Sequence, residues 1–142
     1  MRFKTLLQEN VQLGEVDSPD ELEGITDVVD VVRYVNLCYK KLKTIPVKFG
    51  KVGGHFYCNS NQLTSLVGIH KLIKKIDGRF NISFNPIREG GIGLLLIDGL
   101  KEIKSNHPAL DIINKYVSRG KMGILACQEE LIEAGYEEFA KL

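Results

Sequence analysis

The stretch "GGHFYCNSNQLTSL", residues 53–66, decides the reading of the whole chain. It places His55, Phe56, Tyr57, Cys58, Asn59 and Asn61 almost side by side, as a reactive or metal-binding cluster would. A zinc site needs about four ligands in paired spacing. The other candidates, Cys38, His70, His107 and Cys127, form no C-x-x-C or H-x-x-x-H pair, so no metal is expected. The alternative is that the stretch is one unit of a repeat.

Two further stretches support the repeat: "VVRYVNLCYKKLKTIP" from Val31 and "IDGRFNISFNPIREGG" from Ile76. Val35, Phe56 and Phe80 occupy one apolar position, at offsets of 21 and then 24 residues. Leu37, Cys58 and Ile82 follow two residues on, and Leu42, Leu63 and Ile87 five beyond those. Offsets of this size and an L-x-L-x-x-N-x-L pattern are those of leucine-rich repeats, in which two alternating apolar residues form a short strand buried on one side. Cys58 then stands at an inward apolar position, as a small hydrophobe. Asn61 and Asn85 stand where the chain turns inward, and there a side-chain amide can bond backbone groups left free by the turn. Lys40 occupies that place in the first unit, which marks it as an edge unit. Val47, Phe49 and Val52, and Ile69, Leu72, Ile73 and Ile76, supply the opposite side of each pass. "LEGITDVVDV" from Leu22 parallels "LVGIHKLIKKI" from Leu66 with one deletion, a partial further unit.

The core "FYCNSNQLTSLVG", residues 56–68, resembles the leucine-rich-repeat-like arrays of tailed phages and some bacteria, whose units read F-x-C-S-x-N-Q-L-T-S-L-x-G. Residues 35–46 and 80–87 match more loosely. The resemblance implies a solenoid and a phage setting, and it implies no reaction.

Around the repeats the spacing predicts caps. An N-terminal helix is expected over Phe3–Leu13, followed by a turn at Pro19 with Ser18 as its N-cap. Past Gly91 the apolar spacing becomes helical: Leu95, Ile97 and Leu100; then Leu110, Ile113 and Val117 behind Pro108; then Ile124, Leu125, Leu131 and Ile132, ended by Gly135. The expected fold is thus an α/β, short leucine-rich-repeat-like solenoid with a small parallel β-sheet and helical caps at both ends. It forms a single domain over 1–142, with the N-terminal cap over 1–21, the repeats over 22–90 and the C-terminal cap over 91–142.

Composition agrees with a globular chain: 44% hydrophobic, 26% charged, net charge +1. The longest apolar run, "GGIGLLLI", is far short of a membrane span. Three widely spaced cysteines suit a reducing compartment, and a cytoplasmic location is expected, in the host cytoplasm if the protein is phage-encoded. Charge is unevenly spread. Residues 1–32 carry two basic and eight acidic side chains, and residues 33–79 carry ten basic and one acidic. Such a middle third calls for an acidic partner or for acidic neighbours in the same chain.

Function is therefore sought on the surface. Residues flanking the buried strand positions point outward: Tyr34, Asn36 and Tyr39; His55, Tyr57 and Asn59; Arg79, Asn81 and Phe84. Aromatic residues and arginine are enriched at interface hot spots, so this face is expected to bind a protein partner without catalysis or cofactor, as a phage accessory protein inhibiting a host factor would. The alternatives are a nucleic-acid binder using Lys40, Lys41, Lys71, Lys74 and Lys75 in the repeat turns, and a structural or oligomeric component. Cys38, with Lys40 and Lys41 near it, is the one candidate reactive thiol. "GKVGG" and "REGGIG" lack the spacing of phosphate-binding loops.

Overall fold

Short alternating segments such as Phe49–Val52 and Ile73–Ile76 bury their first and last residues and expose the lysines between them. Many such segments pair side by side in the computed structural model, which describes residues 9–142. The fold is mixed α/β, with three small parallel sheets and a few short helices. The first sheet holds β1 (Val11–Leu13), β2 (Val29–Val31), β4 (Phe49–Val52) and β7 (Ile73–Ile76) in that order. The second holds β3 (Val35–Asn36), β5 (Phe56–Tyr57), β8 (Arg79–Asn81) and β10 (Glu102–Lys104). The third pairs β6 (Ser65–Leu66) with β9 (Glu89–Gly90).

Strand order follows chain order in every sheet, so each pass of the chain lies against the one before it. Val35 pairs with Phe56 and Phe56 with Phe80, the 21- and 24-residue offsets of the repeat. The inward residues stack in columns. Phe56 sits edge-on to Phe80 at 5.1 Å between ring centroids, and edge-on to Phe49 of the facing sheet at the same distance. Leu37, Cys58 and Ile82 form a second buried column. The one-residue deletion in the Leu22 unit is absorbed as a bulge, because Val29 pairs with Phe49 while Val31 pairs with Val52.

Glycines mark the corners between the first two sheets because the chain passes too close there for a side chain. A Cβ on Gly53 would lie 2.1 Å from the Val32 carbonyl oxygen, and one on Gly78 would lie 2.6 Å from His55 Nδ1. Gly53 and Gly54 of "GKVGG" thus form a corner after β4, where a side chain would meet the backbone of Val32 and Arg33.

Three expectations are corrected. Of the helix expected over Phe3–Leu13, residues 3–8 lie outside the described residues, and Val11–Leu13 is strand β1. Its alternating side chains and its amides complete the free edge of β2, with the Val11 N–H donating to the Val28 carbonyl. The helix expected from Leu95 to Leu100 is a 3-10 turn, Ile92–Leu96, after which the chain returns to the sheets. Asp98 bridges Lys75 and β10 pairs with β8, so ladder pairing runs past residue 90. Gly93 and Gly99 weaken the helix, and the open edge of β8 offers better partners for the backbone. Finally, Leu125 and Ile132, expected inward, are exposed.

Several local features of the flanks follow the sequence pattern. Ser18 caps the 3-10 turn Pro19–Leu22 by accepting the Asp20 N–H. Helix α1 (Ile69–Leu72) connects the third sheet to the first, while α2 (Pro108–Asn114) and α3 (Ile124–Glu133) pack at the β10 end. Leu110, Ile113 and Val117 are buried as their spacing requires. Gly135, in the left-handed region, ends α3. No described helix is long and apolar enough to cross a membrane.

Candidate functional site

Four rows of side chains cross the outer surface of the second sheet. The first is Tyr34, His55 and Arg79, continued by Glu102, which is in register with Arg79. Its members are tied internally. The Tyr34 hydroxyl donates to Asp17 at 2.8 Å, and this bond holds its pKa above the usual tyrosine value. His55 Nδ1 accepts the Arg79 N–H at 2.9 Å, and Arg79 Nε pairs with Glu102 at 2.6 Å. Beside this row Arg33 pairs with Glu15 and Lys101 with Asp77. These pairs join one pass to the next, and they leave this face close to neutral.

The second row is Asn36, Tyr57 and Asn81, in register across β3, β5 and β8. Asn36 and Asn81 each accept the N–H two residues on, from Cys38 and Ser83. Tyr57 stands edge-on to His55 at 5.9 Å, and its hydroxyl takes no hydrogen-bond partner among the described residues. The third row is Cys38, Asn59 and Ser83, in which the Cys38 thiol donates to Asn59 Oδ1 at 2.9 Å. Burial pushes the Cys38 thiol up and outweighs the lowering effect of Lys40. Burial likewise pushes Cys58 up to about 12, as its inward position requires.

Tyr39, Ser60 and Phe84 make the fourth row. The Tyr39 N–H donates to the Asn59 carbonyl and the Ser60 N–H to the Ser83 carbonyl, continuing the ladder beyond the strands. Tyr39 and Phe84 thus align with Ser60, and Asn59 belongs one row earlier than the sequence grouping put it. All three backbones are left-handed, with φ of 57°, 59° and 58°. The Tyr39 and Phe84 side chains are 76% and 68% exposed.

Behind this row the turning asparagines close the structure. Buried Asn61 accepts the Lys40 and Leu42 N–H groups, both at 3.0 Å, and donates to the Leu37, Cys58 and Asn59 carbonyls. Asn85 repeats the arrangement one pass later, accepting the Leu63 N–H and donating to Cys58, Ile82 and Ser83. Each asparagine thus binds the backbone of the preceding pass as well as its own.

The lysines divide between two places. Lys40 and Lys41 lie in the exposed turn after the fourth row, and Lys71 lies in α1. Lys74 and Lys75 are on β7, whose Lys75 is in register with Lys51 of β4. All three are exposed on the first sheet, in the return segments between the repeat turns. In the sequence, "KV" before Gly53 and "KKI" before Asp77 hold the same place in the repeat. Among the described residues no group of three or more His, Cys, Asp or Glu side chains is arranged to hold a metal ion.

No protein-family model, no curated protein and no solved structure matches the chain.

Proposed function

We propose that the chain is a short leucine-rich-repeat-like solenoid, closed at its C-terminal end by α2 and α3, that acts without catalysis as a protein-binding module. The observation that carries this reading is the row Tyr39, Ser60 and Phe84. The repeat turn imposes left-handed backbone there, and glycine or asparagine meets that demand at least cost. Two bulky aromatic residues occupy it instead and hold their rings in solvent. Exposed aromatics at positions that penalise them are kept for contact, and strained residues cluster at binding sites. With neighbouring passes about 4.8 Å apart, the backbones of the two aromatic residues stand about 9.6 Å apart on either side of Ser60. The internal charge pairing of the same face favours a protein over a polyanion. By the resemblance to phage arrays, the partner is a host regulatory or defence protein met in the host cytoplasm.

Affinity capture from a host lysate tests the reading with wild type and a Tyr39→Gly/Phe84→Gly variant. The variant is expected to lose the partner while its urea midpoint is unchanged or raised, by up to about 1 kcal/mol in stability, since glycine relieves the left-handed strain. Identical captured proteins for the two chains would refute the assignment. A second reading, nucleic-acid binding, is favoured by Lys51, Lys74 and Lys75, which make no ion pair among the described residues. Its signature is retention on random RNA or DNA that falls with salt and disappears in Lys51→Glu/Lys75→Glu.

A further inference from the structure

The two ends of the stack differ. Helices α2 and α3 pack at the β10 end, whereas at the other end β1 is the last strand of its sheet. Later passes bury the inward residues of the corresponding segment, as Val29 and Val31, or Ile73 and Ile76, show, but Val11 and Leu13 of β1 are only half-buried. The Val11 N–H donates to the Val28 carbonyl and the Leu13 carbonyl accepts the Val32 N–H. By the alternation of a strand, the N–H and carbonyl of Gln12 between them point the other way. They lie on an edge that has no strand partner among the described residues.

Charge marks the same end. Residues 9–32 hold eight acidic side chains and no lysine or arginine. Natural sheet edges are commonly guarded by lysine or proline, and β1 carries neither. Glu15 is engaged by Arg33, Asp17 by the Tyr34 hydroxyl, Glu21 by the Asp17 N–H and Asp30 by the Lys51 N–H. Glu9, Asp20 and Glu23 of the first pass are exposed and make no ion pair among the described residues.

We infer that the edge of β1 takes an extended segment of a partner protein, in which basic residues alternate with small apolar ones, as an added strand. Main-chain bonds to Gln12 hold it, its apolar side chains lie over Val11 and Leu13, and its cations meet Glu9, Asp20 and Glu23. A second copy does not suit the edge, since self-pairing would set two acidic passes without a basic residue against each other. The contact is one short strand, so binding is weak, with a Kd of about 100 µM.

The probe is a short, end-blocked peptide of alternating lysine and valine, titrated into the full chain and followed by amide chemical shifts. Saturable binding is expected at about 100 µM, with the largest shifts at Val11, Gln12 and Leu13. Affinity falls about tenfold on raising salt to about 0.5 M, and a glutamate–valine peptide does not bind. Gln12→Pro removes the outward N–H, leaves the bonds of Val11 and Leu13 to β2, and abolishes binding with an unchanged circular dichroism spectrum. Should that variant unfold, Glu9→Lys/Glu23→Lys, at exposed sites, decides: it weakens binding about tenfold. Equal binding of the two peptides, shifts confined to other strands, or no binding by the wild type overturns the inference. So does binding that appears only in Arg2→Glu/Lys4→Glu, which would give the edge to the chain's own first residues, or a wild-type dimer that Gln12→Pro abolishes. The row of Tyr39, Ser60 and Phe84 takes no part, so this result is independent of partner capture.

Discussion

At the scale of single residues, Asn61 joins the turns of two successive passes. Its amide serves five backbone groups, and the side chain is buried, so water cannot replace it. Asn61→Ala is expected to lower stability by about 2–4 kcal/mol in urea denaturation, because the Lys40 and Leu42 amides and the Leu37 carbonyl lose their partner. The first unit carries Lys40 at this position, and Asn61 of the next pass satisfies its backbone from outside. That is the physical reason the first unit tolerates the departure. The same turn places Tyr39 in left-handed backbone, so the structural demand and the proposed binding residue share one peptide.

At the scale of elements, Asp30 ties three strands of the first sheet together. Its carboxylate accepts from Asn10, from Gln12 of β1 and from the Lys51 backbone amide of β4, while Asp30 itself lies on β2. Burial pushes its pKa up, but these bonds together outweigh burial and hold it below its ordinary value of 3.8. A depressed carboxylate pKa stabilises the fold above the unfolded value, and that contribution is lost as pH falls through the folded value. The urea midpoint is therefore expected to decline below about pH 4, and Asp30→Asn, less stable at pH 7, should show a shallower decline over the same range. Helix α3 shows a different limit. Leu125 and Ile132 are as apolar as Leu131, yet they lie one residue from the inward positions, about 100° round the helix, and so face solvent.

At the scale of the whole molecule, successive passes share one core, and the central pass touches both neighbours. Phe56 lies between Phe49 and Phe80 and is fully buried, so Phe56→Ala is expected to cost about 3–5 kcal/mol. Because the passes are stacked, the loss should lower one cooperative transition, with tyrosine fluorescence and circular dichroism coinciding. Charge also resolves at this scale. The acidic early segment supplies Glu15 to Arg33 and Asp17 to Tyr34, and the later Glu102 pairs with Arg79. The excess lysines of the middle third are thereby left largely to the outside of the first sheet, in the short turn after the fourth row and in α1.

The sequence by itself determined the repeat register, the identity of the inward columns and the turning asparagines, since these follow from local alternation and from which side chains can bond backbone. It also located the turns at Pro19 and Pro108 and the stop at Gly135. Only the tertiary structure decided that Val11–Leu13 and Glu102–Lys104 are strands. Both segments are short and weakly patterned, and each is extended because a neighbouring strand leaves its hydrogen-bonding edge open. It alone also separated Tyr39 and Phe84 from the strand rows. Which residues become neighbours across the stack depends on the pairing of passes some twenty residues apart, and the turn geometry that lifts two aromatics into solvent arises only when that pairing forms.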